Sequence, residues 1–222
     1  NEHVGLVVLV ARYDGADLPD SACRVLILDG LPESYSPLDL VEATALGGTQ
    51  KINARQVQRI EQGMGRGVRS SDDYCAVILL DARLVENLYS SLAKSHLSPA
   101  TRAQYKLSSD FSRDGRNKPM SFFEQAVSAF LNRDPKWVNA SKQAISSATY
   151  EDQDNQIEVI NAERLAFDFA LSGRYKDAAN ALSAIYDKID EPRFRGWIKQ
   201  RGAYYLNNVD PAQALSLQRS AR

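Results

Sequence analysis

The stretch Gln62–Arg69, QGMGRGVR, joins a helical pattern over Asn53–Met64 to an apolar run, YCAVILL, over Tyr74–Leu80. Three of the chain's 12 glycines and two arginines fall in these eight residues. A helix that ends in glycines, followed by a short unbroken apolar run, predicts a strand buried on both faces of a parallel sheet. Upstream, RVLIL (Arg24–Leu28) and VGLVVLV (Val4–Val10) have the same character, and a polar segment with Gly and Pro follows each. A further helix is expected from about Ala82 to Lys94. Strands alternating with helices over short loops predict an open α/β sheet in the N-terminal part of the chain.

Downstream of residue 97 no strand pattern remains, so the expected organisation is an α/β segment, 1–97, and an all-α extension, 98–222. Ser121-Phe122-Phe123-Glu124 reads as a capping box, and Asp134-Pro135 as an N-cap followed by proline at the first helical position. Gln156–Leu171 is apolar on more than one face, as in a helix set between neighbours. SGRYKDAANAL (172–182) and NNVDPAQALSL (207–217) lie 35 residues apart. With Gly202, Tyr205, Ala214 and Ala221 at small and aromatic positions, they read as a tetratricopeptide-like repeat or as ordinary helical hairpins.

A formal net charge of −1 excludes a global basic field, so any anion site must be built locally from a few placed arginines. Cys23 and Cys75 have no CxxC partner and are expected to be buried thiols in a reducing compartment. No apolar stretch approaches the ~18 residues of a membrane span. No basic segment precedes an apolar one, and a cytoplasmic protein is expected. The first residue, Asn1, is not a methionine, and the chain drops at once into a strand-like run, which reads as a cut through a longer polypeptide. His3 and His96 have no plausible metal partners nearby in sequence, read as surface residues, and no metal site is expected.

Arg66 and Arg69 are three residues apart, so on a helix or its last turn they point the same way. Two converging guanidinium groups repel unless an anion lies between them, and phosphate matches their planar forks. Glycines beside them let the backbone pass close to a ligand or neighbouring domain. Gln62, one turn earlier, is placed to orient a water or a phosphate oxygen. The alternative is a glycine-capped helix end whose arginines satisfy the last carbonyls.

Gln62, Gly65, Arg66 and Arg69 occupy every fixed position of Q-x-x-G-R-x-x-R, and so resemble motif VI of superfamily 2 helicases. Gly15-Ala16-Asp17, after the first apolar run, resembles motif V in its G-x-D form. CRVLILDGLP (Cys23–Pro32) and DDYCAVILLDARL (Asp72–Leu84) resemble the strand-and-GLP and strand-and-D-x-R elements of DinG-like helicases. The resemblance covers roughly residues 4 to 95 and implies the end of the second of two RecA-like domains that clamp ATP. Arg66 and Arg69 would then be arginine fingers on the γ-phosphate, with Gln62 positioning the nucleotide or the attacking water. Asp17 would hold the ribose or brace the arginines, Gly15 would let the motif V loop approach, and Gly65 would lie against the nucleotide. Related helicases often carry Ser or Thr two residues before the motif V glycine; Tyr13, followed by Asp14, stands at that strand-contacting place.

The resemblance further implies ATP and Mg²⁺ as cofactors, with the P-loop and the Mg²⁺ ligands on a first RecA-like domain outside this chain. GGTQK (47–51) has the wrong spacing for a P-loop, so the chain alone is not expected to hydrolyse ATP. Expected partners are nucleic acid, DNA rather than RNA, the first RecA-like domain, and a protein met through the helical extension. Genome defence or repair is the setting this suggests. The competing reading is a catalytically inactive helicase-like scaffold whose residues 155–222 bind a partner protein. Two basic stretches stay open between structural and nucleic-acid roles: 98–118, with Arg102, Lys106, Arg113, Arg116 and Lys118, and RFRGWIKQR, 193–201.

Overall fold

The computed structural model describes residues 5–10, 18, 22–32, 36–68, 73–150 and 154–221. In chain order the elements are β1 (Val25–Leu28), α1 (Pro37–Ala45), α2 (Gln50–Met64), β2 (Ala76–Leu79), α3 (Ala82–Tyr89) and α4 (Ser91–His96). They continue as α5 (Pro99–Asp114), α6 (Met120–Leu131), α7 (Pro135–Ser146), α8 (Asp154–Leu171), α9 (Tyr175–Ser183), α10 (Pro192–Leu206) and α11 (Pro211–Ser220). Two compact units result: residues 1–33 with 53–150, and residues 34–52 with 151–222.

The first unit is built on a small parallel sheet in which β1 pairs with β2, from Val25 opposite Ala76 to Leu28 opposite Leu79. Its core gathers Leu28, Val57, Ile60, Leu84, Leu88 and Leu97. Val57, Ile60, Leu84 and Leu88 are wholly inaccessible. Two expectations are corrected here. Residues 5–10 of the run Val4–Val10 form no strand, and Leu6 to Val10 are 49–80% exposed. An apolar run becomes a strand only where a neighbour's N–H and C=O groups line up with its own, and among the described residues only β1 and β2 do so. Nor is β1 buried on both faces, since Val25 and Ile27 keep 39% and 47% of their surface.

Caps explain most helix starts. Ser36, Asp81, Ser90, Ser98 and Asp134 each accept a backbone N–H of the following turn. The expected Asp134-Pro135 start is thus present. The single helix expected over Ala82–Lys94 is instead two, because Ser90 adopts an extended conformation (φ −63°, ψ 144°) and caps Ala93 with its hydroxyl. The capping box at Ser121–Glu124 does not form. α6 starts earlier, after extended Pro119, and no side chain caps it. Phe122 and Phe123 pack on Phe111, the first stacked at 5.0 Å between ring centres, and Trp137 meets Phe111 at 5.3 Å.

In the second unit α8 packs on α9, α9 on α10 and α10 on α11. One buried cluster runs through Ala166, Leu182, Ile185, Ile198, Tyr205 and Ala214. Small residues allow close approach: a Cβ on Gly202 would meet the Tyr186 hydroxyl, and one on Gly196 would lie 2.5 Å from the Ala221 carbonyl oxygen. The positions read as repeat-like therefore pack among α10 and α11, yet nothing shows tetratricopeptide repeats. Burial pushes the Tyr186 hydroxyl up to about 12. The segment carrying α1 belongs to this unit. Lys51 lies 3.2 Å from Glu163, Arg193 donates to the Gly47 carbonyl at 2.7 Å, and Glu191 accepts the first N–H of α2 at 3.3 Å. That carboxylate stands where the helix dipole favours negative charge.

Candidate functional site

The candidate site is the C-terminal end of α2. Val57, Ile60 and Gly63 are buried and Met64 half-buried, spaced three to four residues apart on the face that meets the core. The opposite stripe carries Arg55, Arg59, Gln62 and Arg66 at intervals of four, three and four residues. Gln62 is exposed, and the three arginines are half-buried and engaged by neighbouring groups. Arg55 and Arg59 were not singled out from sequence. Their signal is the helical spacing that leads up to the glycine-arginine turn. Glu61 anchors this end of the helix by accepting from the Ser98 backbone N–H at 3.1–3.2 Å and from the Ser98 hydroxyl.

After Met64 the chain tightens into a 3₁₀ turn, Gly65–Gly67, and leaves it at extended Val68 (φ −136°, ψ 120°). The two glycines of this turn do different work. A Cβ on Gly67 would sit 2.6 Å from the Cys75 sulfur and 2.7 Å from its Cβ, so the turn is seated directly on that side chain. A Cβ on Gly65 would meet nothing within 4 Å, and its φ lies outside the left-handed range. Among the described residues, neither packing nor backbone strain requires glycine there.

The start of β2 is held by a second set of contacts. Arg24 donates to Asp73, whose side chain is inaccessible, at 2.6 Å and to the Tyr74 carbonyl at 2.9 Å. It also lies 4.1 Å over the Tyr74 ring, while Arg133 lies 4.6 Å from the same ring. Arg133 holds a left-handed φ of 57°, rare outside glycine. Tyr74 donates its hydroxyl to the Leu131 carbonyl at 3.2 Å. The D-x-R pair after β2 is a helix start: Asp81 caps α3 through the Leu84 N–H, with Arg83 at 3.5 Å. That backbone bond, then Arg83, holds the Asp81 carboxyl below its usual range.

Of the expected site residues, the structure brings Gln62, Gly65 and Arg66 together on adjacent turns; Arg69, Tyr13, Asp14, Gly15 and Asp17 lie outside the described residues. Lys51 of GGTQK is engaged by Glu163 and by Glu42, the latter at 3.8 Å. Among the described residues no three His, Cys, Asp or Glu side chains gather as a metal site. The thiols expected to be buried are half-buried. His96, expected at the surface, has its Nε2 buried with no hydrogen-bond partner among the described residues, and burial lowers its pKa below 6.5. It lies at the end of α4, next to fully packed Leu97, which is why a polar ring becomes enclosed there.

Several residues of the two basic stretches make structural contacts. Arg102 donates to the carbonyls of Ser95 and Leu97, both at 3.1 Å, closing the end of α4. In the 193–201 stretch, Phe194 and Trp197 pack against the helical core and Arg201 pairs with Glu163 at 2.8 Å. The arrangement at the end of α2 fits an anion: a guanidinium, a carboxamide one turn before it, and a bare backbone position between them.

Among the described residues no helix is long and apolar enough to cross a membrane. Residues 2–100 match the family model described as Helicase C-terminal domain. No match is found among curated proteins or among solved structures. The family implies ATP and Mg²⁺ use, nucleic acid as partner, and a second RecA-like domain beside this one. Over residues 2–100, therefore, the chain is similar to the C-terminal domain of DinG-like superfamily 2 helicases.

Proposed function

We propose that the chain is the C-terminal part of an ATP-dependent DNA helicase or translocase. Residues 1–97 end its second RecA-like domain, and residues 98–222 form an all-helical extension that meets a partner protein. Arg66, with Arg69, is the arginine finger of an ATP site shared with the first RecA-like domain. The observation that carries this reading is Gly65: a glycine that packing among the described residues does not require, set in the turn between Gln62 and Arg66. A missing side chain at that point leaves the backbone open to a phosphate or to the facing domain.

In this reading Arg66 donates to the γ-phosphate oxygens, where charge grows as the terminal bond breaks. Gln62 orients the attacking water, and Glu61 keeps both in register through Ser98. Mg²⁺, when bound by the first domain, neutralises phosphate charge. The test is DNA-stimulated ATP hydrolysis by the full protein. Arg66→Ala and Arg69→Ala should each lower turnover by ~10³-fold or more, the scale of an arginine finger, while nucleotide binding is largely kept. Unchanged turnover in both variants would reduce the motif to a glycine-capped helix end.

A further inference from the structure

Cys23 and Cys75 stand where the chain enters the two paired strands, two residues before Val25 and one before Ala76. Their sulfurs are 3.9 Å apart and not bonded. The pair lies directly under the motif VI turn. The Cys75 side chain fills the place a Gly67 Cβ would take, and the Cys23 carbonyl oxygen lies 3.7 Å from it. The backbone around the pair is clamped. Arg24 bonds to Asp73 and to the Tyr74 carbonyl, and its own carbonyl accepts the Ala76 N–H at 2.9 Å. With both strand entrances held, an approach of the two sulfurs is taken up by the side chains and by the turn resting on them.

We propose that Cys23 and Cys75 are a redox modification site, which a hydroperoxide closes to a disulfide that unseats the Gly65–Gly67 turn. The Cys23 sulfur attacks one peroxide oxygen and the O–O bond breaks. This leaves a sulfenic acid on Cys23 and, when the oxidant is hydrogen peroxide, a water. The Cys75 sulfur then attacks the Cys23 sulfur, the S–S bond forms, the S–O bond breaks, and the oxygen leaves as a second water. Two thiols lose two electrons in total and the peroxide gains them. Cys23 reacts first, because burial and the neighbouring Cys23 push the Cys75 thiol up to about 12. The contribution from Cys23 vanishes once that sulfur is oxidised. A disulfide spans about 2.05 Å, so the sulfurs must close about half of their present 3.9 Å gap. Any part of that approach made by the Cys75 sulfur shifts the side chain on which Gly67 is seated.

The effect on turnover rests on reading Arg66 as nucleotide-facing; formation of the bond does not. The full protein, reduced and then treated with hydrogen peroxide, is compared with Cys23→Ser by non-reducing peptide mapping and by DNA-stimulated ATP hydrolysis. A linked Cys23–Cys75 peptide that lacks two hydrogens is expected in the wild type. Turnover should fall about 100-fold, the scale of a 1 Å misplacement of a reacting group, and dithiothreitol should restore it. Cys23→Ser should keep its turnover under the same treatment. Accumulation of Cys23 sulfinic acid with no linked peptide overturns the site. A linked peptide with undiminished turnover, in a protein that Arg66→Ala inactivates, overturns the coupling to the turn. A linked peptide in a protein whose turnover Arg66→Ala leaves intact supports the site and removes the motor reading instead.

Discussion

The end of α2 and the middle of α10 are written in nearly the same letters, QGMGRGVR and RFRGWIKQRG, yet the molecule uses them differently. In α10 both glycines are consumed by packing, Gly196 against the Ala221 carbonyl and Gly202 against the Tyr186 hydroxyl. Arg193 there bonds to the Gly47 carbonyl and Arg201 to Glu163; Arg66 at the end of α2 is engaged as well, so the arginines do not separate the two stretches. At the end of α2 Gly67 is accounted for in this way, by Cys75, and Gly63 is buried in the helix, while among the described residues a Cβ on Gly65 would meet nothing within 4 Å. A glycine-arginine cluster is thus not by itself a site. The informative residue is the one whose identity the rest of the chain does not explain.

Substitutions can break or sharpen this comparison. Ile60 in α2 and Ile198 in α10 are both wholly inaccessible. Ile60→Ala and Ile198→Ala should each cost about 2–5 kcal/mol of stability in denaturant titrations. Equal costs would confirm that the two helices are held alike and differ only at the turn. Next in size come the glycines. Gly202→Ala should cost about 1–3 kcal/mol, because its Cβ meets the Tyr186 hydroxyl. Gly65→Ala should leave the melting temperature unchanged or slightly raised, since Ala is the better helix former, and should still lower DNA-stimulated ATP turnover. A destabilised Gly65→Ala variant would show that packing, not a ligand, selects that glycine.

The smallest effect concerns pH. Burial holds His96 below its ordinary 6.5, so its neutral form is favoured in the folded chain. Above 6.5 the ring is neutral whether the chain is folded or not. As pH falls below 6.5 the unfolded chain takes up a proton that folded His96 resists, and stability declines until the folded pKa is passed. Melting temperatures of wild type and His96→Gln between pH 7.5 and 5 should therefore diverge, with the steeper fall in the wild type. Parallel curves would mean that His96 is not the group responsible.

Local chemistry was legible from the residues alone. Asp134-Pro135 predicts a helix start, and a side-chain cap forms there. Q-x-x-G-R-x-x-R at Gln62–Arg69 marks a helicase domain, and residues 2–100 match one. Short apolar runs at Arg24–Leu28 and Tyr74–Leu80 became β1 and β2, the first trimmed at its start and the second at both ends. The reading failed where an outcome depends on a distant partner. Val4–Val10 has the composition of a strand, but composition does not supply a ladder neighbour, and Leu6–Val10 stay exposed. Ser121–Glu124 has the letters of a capping box, but Pro119 and the aromatic contacts around Phe111 accompany an earlier start.

By itself, then, the sequence determined the helical periods, the cap at Asp134 and the spacing of Gln62, Gly65 and Arg66, because each depends on residues within a few positions of one another. Only the tertiary structure decided that Cys75 seats Gly67, that Cys23 stands 3.9 Å from Cys75, and that residues 34–52 belong with the helical unit. Those outcomes join residues that are not neighbours along the chain, and no local spacing encodes them: closing such loops costs entropy that only the assembled core offsets.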